Sequence, residues 1–102
     1  MSERQYQSFA EFYPFYLGEH SNRTCRRLHF AGLIVAVALL VCGIATGRWL
    51  LLLLALVAGY GFAWVGHFFF EKNRPATFRY PLYSFMGDWV MFRDMLLGRI
   101  RF

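Results

Sequence analysis

Residues 30–46 read FAGLIVAVALLVCGIAT and residues 49–70 read WLLLLLALVAGYGFAWVGHFFF, with only Gly47 and Arg48 between them. Neither run carries an acidic or basic residue, and His67 alone interrupts the second. A hydrocarbon core of about 30 Å takes roughly 20 apolar residues as helix, and both runs are near that length. The pattern predicts an all-α integral membrane protein in one domain over residues 1–102. Its centre is a transmembrane helical hairpin, with spans at about residues 28–46 and 49–70 and a tight turn at Gly47-Arg48. Two amphipathic interfacial helices are expected to flank it, at about residues 4–17 and 83–98.

Composition supports burial in lipid. The chain is 58% hydrophobic and 21% aromatic, and a soluble domain of 102 residues has little core in which to hide two such runs. A secretory signal is a poor alternative, because the first run starts near residue 30 and a second follows at once. Ten basic residues flank the hairpin: Arg4, Arg23, Arg26 and Arg27 before it, and Lys72, Arg74, Arg79, Arg93, Arg99 and Arg101 after it. Arg48 alone marks the turn. That asymmetry predicts both termini on the cytoplasmic side, of the inner membrane in a bacterium. The net charge of +5 is then matched to anionic lipid head groups. No nucleic-acid motif accompanies the charge, and nucleic acid is not an expected partner. Cys25 and Cys42 are too few and too differently placed for a disulfide framework.

The amphipathic segments follow from spacing. Phe9, Phe12, Tyr13 and Tyr16 repeat at helical intervals, with Pro14 restricting the helix and Gly18 offering a stop. Phe85, Trp89, Phe92 and Leu96 form an apolar stripe in the second segment, among Asp88, Arg93, Asp94 and Arg99. Within the hairpin, Ala55 and Gly59 form a small-xxx-small pair that serves either hairpin packing or contact with a second copy of the chain.

The three histidines map to one end of the hairpin. His29 lies 18 residues before Gly47 and His67 lies 19 after Arg48, so at about 1.5 Å per residue they return to similar depth. His20 is nine residues before His29, on the opposite face of any uninterrupted helix. It joins the others only if the helix starts at Ser21 or Asn22, leaving His20 in a loop. Imidazoles suit iron, zinc, copper or nickel, so His20, His29 and His67 are candidate metal ligands, with Glu71 or Asp88 as the assisting carboxylate. Asn22 stands on the same face as Arg26 and His29 and is a candidate for the surrounding layer. Spacing alone leaves a metal site and a structural role for the histidines both open. Arg23, Arg26, Arg27 and Arg74 read as head-group anchors, any one of which is also suited to a substrate carboxylate. Phe68, Phe69 and Phe70 read as lipid contacts or as the lining of an acyl channel. Phosphate-binding glycine loops, nucleophile elbows and Cys-x-x-Cys are absent. Two other classes compete: a bis-histidine haem carrier using His29 and His67, and a non-catalytic membrane adaptor or scaffold.

Two signatures narrow the field. Phe15-Tyr16-Leu17-Gly18-Glu19-His20-Ser21-Asn22-Arg23 followed by His29 is the first. Gly59-Tyr60-Gly61-Phe62-Ala63-Trp64-Val65-Gly66-His67 with Phe70-Glu71-Lys72-Asn73-Arg74-Pro75-Ala76 is the second. Together they resemble the family that includes the fungal 2-hydroxy fatty acid dioxygenases of fatty acid α-oxidation, and Gly87-Asp88 resembles its short bacterial-type members. The resemblance covers about residues 13–76. It implies an Fe(II)-dependent enzyme that uses O₂ as co-substrate to shorten a 2-hydroxy fatty acid by one carbon. By position it implies His20, His29 and His67 as iron ligands and Glu71 as a ligand or supporting carboxylate. The fungal enzymes have further membrane segments after the second signature, and this sequence is shorter than theirs. In that reading Glu71 and Asp88 serve the chemistry, and Asn22, Arg23, Arg26 and Arg74 face the fatty-acid-like substrate.

Overall fold

The structure, a computed structural model, describes residues 6–102. The described residues form four α-helices and no strand: α1 (Phe9–Gly18), α2 (Arg23–Thr46), α3 (Trp49–Val65) and α4 (Pro81–Leu96). A π-helical turn, Gly66–Glu71, continues α3, and a short 3₁₀ turn, Ala76–Phe78, precedes α4.

Each boundary has a local cause. The Ser8 hydroxyl accepts from Glu11 N and caps α1, which runs through Pro14 to Gly18; residues 4 and 5 of the expected helix lie outside the described residues. Asn22 caps α2 by accepting from Cys25 N at 3.1 Å, so the break required to free His20 is present. At the other end Gly47 adopts the left-handed conformation at φ 68° and sends its N–H back to Gly43 O, the usual glycine stop. Arg48 and then Trp49 start α3 at once. Pro81 opens α4, where its missing N–H is no loss.

The hairpin seam is made by small residues. A Cβ on Gly32 would meet Phe62 at 2.7 Å, and one on Gly43 would meet Leu52 at 2.8 Å. Gly59 faces Ala36, and Ala55 is buried. The Ala55–Gly59 pair is therefore used within the hairpin. α2 and the α3–π segment have 24 and 23 residues and are long and apolar enough to cross a membrane. Only 17% of each apolar window is buried within the protein. A core helix of a soluble protein would be mostly covered, whereas here Ile44, Leu50, Leu53, Leu56 and Val57 all point outward.

Beyond what spacing predicts, α1 and α4 pack on each other at the open end of the hairpin. Phe12, Tyr16, Met91 and Met95 form the core of this cap, with Tyr6, Phe15 and Tyr80 stacked around Phe12. Most of the apolar stripe of α4 lies on the outer side of the cap. Phe85, Trp89 and Leu96 are exposed, while Ser84, Gly87, Met91, Asp94 and Met95 are buried. Small and polar side chains pack inward where the outer medium is itself apolar. Buried Asp94 accepts from Tyr13 Oη at 2.8 Å and pairs with Arg93 and Arg99.

Gly87 sets how closely the two cap helices approach. A Cβ there would lie 2.9 Å from the Tyr16 ring, which is itself fully buried. Gly87→Ala should therefore lower stability by about 1–3 kcal/mol, the usual range for overpacking. The measurement is the unfolding midpoint of detergent-solubilised protein, and an unchanged midpoint would contradict this packing.

Candidate metal centre

The three histidines reach one point from three kinds of backbone. His20 sits in the turn after α1, where its N–H bonds Leu17 O at 3.1 Å. His29 lies on α2 and His67 in the π-helical turn. That wider winding is common at functional sites; it ends at Lys72, whose left-handed φ of 59° lets Asn73 N reach His67 O at 3.0 Å. Gly66 makes room for the approach, since a Cβ there would meet Cys25 Sγ at 2.9 Å and Cα at 3.1 Å. All three imidazoles are buried, with exposures of 1%, 6% and 1% for His20, His29 and His67.

Their Nε2 atoms form a triangle: 3.1 Å from His20 to His29, 3.2 Å from His29 to His67 and 2.9 Å from His67 to His20. The opposite ring nitrogens decide what these contacts are. His20 Nδ1 lies 2.7 Å from the carbonyl oxygen of Tyr16, which can only accept. His67 Nδ1 lies 2.7 Å from Asn73 Oδ1. The orientation of that amide is fixed because Asn73 Nδ2 donates to Glu19 O at 3.1 Å. His29 Nδ1 faces the Asp88 carboxylate at 3.5 Å, and Asp88 also accepts from Tyr16 Oη. With an acceptor on the Nδ1 side of each ring, the arrangement favours the tautomer in which Nδ1 holds the proton and Nε2 presents a lone pair. Three lone pairs at about 3 Å cannot hydrogen-bond one another, and a single added proton bridges only one pair. A cation satisfies all three.

The size also fits. The centre of the triangle lies about 1.8 Å from each nitrogen, just inside the roughly 2.0–2.1 Å of a metal–imidazole bond. Burial, then neighbouring His29 and His67, push His20 well below the ordinary histidine range, which keeps it a neutral ligand. Burial, followed by the charge of Asp88, raises Tyr16 well above its usual value, which keeps its hydroxyl a donor. A porphyrin does not fit. Haem would need His29 and His67 on opposite faces of the ring, whereas their Nε2 atoms are 3.2 Å apart with His20 at the third corner.

The remaining candidates have separate positions. Asp88 stands behind His29, on its Nδ1 side. Glu71 does not join the histidines; its carboxylate accepts from Ser21 Oγ at 2.7 Å and Asn22 N at 2.6 Å, tying the end of the π turn to the start of α2. Asn22 caps that same helix and donates to Phe70 O. The Arg26 guanidinium holds the His20 loop through His20 O and Ser21 O and also reaches Arg101 O. Arg23 and Arg74 are exposed and line neither cavity at the site. Phe68, Phe69 and Phe70 point outward. Sequence reasoning gave no role to Tyr16, Asn73 or Ser84. Tyr16 is four residues before His20, the spacing that lets its carbonyl meet that ring, and Asn73 lies inside a quoted signature.

Two cavities meet at the centre. A small one of about 20 Å³ touches all three histidines, Asp88 and Ser84. A second of about 420 Å³ runs along the α2–α3 seam between apolar residues, from Leu33 to Leu40 and from Tyr60 to Leu52, with Phe85 and Trp89 of α4 beside its mouth. They share His29, Tyr60 and Asp88. The arrangement joins a polar, metal-competent chamber to a long apolar groove.

No curated protein and no solved structure matches the chain. The family model described as 2-hydroxy-palmitic acid dioxygenase Mpo1-like matches residues 6–100. With nearly the whole length covered, the chain belongs to the 2-hydroxy-palmitic acid dioxygenase Mpo1-like family.

Proposed function

We propose that this protein is an integral membrane Fe(II)-dependent dioxygenase that shortens 2-hydroxy fatty acids by one carbon. The observation that carries the reading is the convergence of three Nε2 atoms beside the end of an apolar groove that His29 and Asp88 line. Family membership supports the substrate class, since its description names a 2-hydroxy fatty acid. His20, His29 and His67 would hold the iron, which when bound supplies the activation of O₂ that the protein's own groups lack.

The chain's residues do the rest. Tyr16 O, Asp88 and Asn73 each hold one Nδ1 proton, fixing the tautomer and the aim of the three rings. Glu71 and Arg26 hold the His20 loop against α2. The groove takes the acyl chain: Leu33 to Leu40 cover about 10 Å along the helix axis, and His29 and Asp88 bound its polar end. Because the site lies at the open end of the hairpin, an amphiphile could enter from the membrane with its head at the iron and its tail in lipid-facing space. The flanking basic residues favour both termini on the cytoplasmic side, of the inner membrane in a bacterium. Exposed Arg23 and Arg74 then meet head groups or an arriving carboxylate.

Metal analysis of detergent-purified protein tests the centre directly. Wild type should carry near-stoichiometric iron, and His67→Ala should lose both iron and activity; retention of either would refute the assignment. Asn73→Leu, which removes only the partner of His67 Nδ1, should weaken iron affinity by about 10–100-fold. An affinity equal to wild type would show that this contact does not orient the ligand.

Blocking the groove tests the substrate assignment. Val37 and Leu56 line it but are exposed enough to be enlarged without disturbing the hairpin. Val37→Trp should reduce kcat/KM for 2-hydroxy-palmitic acid by about tenfold or more, since each excluded methylene forfeits about 0.8 kcal/mol. Short-chain 2-hydroxy acids should be affected less. An equal loss at all chain lengths would place the acyl chain elsewhere.

A further inference from the structure

Ser84 belongs to no part of the machinery described above. It lies in the first turn of α4, one turn before Asp88, and is 3% exposed. Its hydroxyl has no hydrogen-bond partner. A helical serine commonly returns its hydroxyl to the carbonyl one turn back; here Tyr80 O takes the backbone N–H of Ser84 at 2.8 Å, and Oγ stays unpaired. Among the described residues, the buried side-chain polar atoms without a partner are Arg26 Nε and Ser84 Oγ. Of these two residues only Ser84 lines the small cavity, together with the three histidines and Asp88. Buried polar groups are nearly always satisfied, so an orphan in a cavity marks the place of a ligand.

The chamber limits what that ligand is. Its volume of about 20 Å³ suits one water-sized group, so a single oxygen fits and a whole carboxylate does not. Asp88 shares the wall and offers an acceptor to a donating group. A neutral hydroxyl suits both neighbours: it can accept from Ser84 Oγ–H and donate to Asp88, whose carboxylate keeps acceptor capacity beyond Tyr16 and His29.

We propose that Ser84 recognises the 2-hydroxyl of the substrate and thereby selects 2-hydroxy fatty acids over plain fatty acids. The inference rests on the fatty-acid reading above and names the residue that reads the hydroxyl. A plain fatty acid offers the groove the same tail but leaves the buried Ser84 hydroxyl unpaired. Sites built to bond a hydroxyl reject the analogue lacking it for that reason. Such selection matters in a membrane, where any fatty acid can reach the groove.

Binding separates this role from catalysis. Iron-loaded protein in nanodiscs, held under argon to prevent turnover, is titrated with 2-hydroxyhexadecanoic acid and with hexadecanoic acid. Wild type should prefer the hydroxylated acid by about tenfold or more, the scale of one hydrogen bond in a buried site. Ser84→Ala should reduce that preference to about twofold or less with iron content unchanged, and Ser84→Thr, which keeps a hydroxyl, should restore it in part. Preference retained in Ser84→Ala, or absent in wild type, overturns the proposal. Admitting O₂ then tests the other reading separately. Preference lost in Ser84→Ala without turnover by wild type would leave Ser84 as the hydroxyl reader and defeat the dioxygenase. Turnover with the preference intact in Ser84→Ala would do the reverse.

Discussion

Three imidazoles are forced to face one another through their unprotonated nitrogens, and much of the surrounding structure serves that confrontation. Left to themselves, buried histidines would turn one N–H toward a neighbour's lone pair. Here Tyr16 O and Asn73 Oδ1 lie within hydrogen-bond reach of the Nδ1 atoms of His20 and His67, and the Asp88 carboxylate faces that of His29 at 3.5 Å. These acceptors come from α1, from the loop after the π turn and from α4, so the tautomers depend on the whole cap being assembled. The chain thereby holds an arrangement that is unfavourable when empty and favourable around a cation. A metal bound there would couple its binding to folding of the cap.

The packing that achieves this is inverted relative to a soluble protein. Large aliphatic side chains of α2 and α3 point outward, while glycines and alanines make the seam. At the cap the same economy brings backbones into contact at Gly66 with Cys25 and at Gly87 with the Tyr16 ring. Neither glycine touches the centre, yet each sets the separation on which a nitrogen triangle of 2.9–3.2 Å depends. A displacement of even half an ångström at either contact would be comparable with the tolerance of a metal–imidazole bond.

The sequence made the hairpin legible because apolar length and the Gly47-Arg48 turn are local properties. Equal counts from the turn then bring His29 and His67 to one level, and Asn22, a local cap, frees His20 from α2. What could not be read depends on which surface counts as inside. The stripe Phe85-Trp89-Phe92-Leu96 marks the outward apolar side of α4, but nothing in its pattern shows that the opposite, buried face carries Ser84, Gly87 and Asp94. The cap of α1 on α4 was hidden for the same reason. Glu71 looked like a companion of His67 because i, i+4 residues share a face of an α-helix; the π winding and the reach of its side chain send it instead to Ser21 and Asn22. Tyr16 acts on His20 through a backbone carbonyl, which no side-chain pattern reveals. Asn73 reaches His67 only because Lys72 adopts a left-handed turn.

The placement of the centre is consistent with the amphiphilic substrate proposed for it. A fatty acid in a membrane keeps its polar head at the boundary and its tail among lipid chains, and extracting it into water would expose each methylene at about 0.8 kcal/mol. A catalyst deep in the bilayer would have to desolvate the head; one in the cytoplasm would have to desorb the tail. At the open end of a hairpin, with the seam cavity leading from His29 and Asp88 into apolar surroundings, neither transfer is required. The short connection at Gly47-Arg48 and the long return of both helices are then functional dimensions as well as structural ones. On the proposed function, they set the depth at which three ring nitrogens would meet the one polar end of an otherwise apolar molecule.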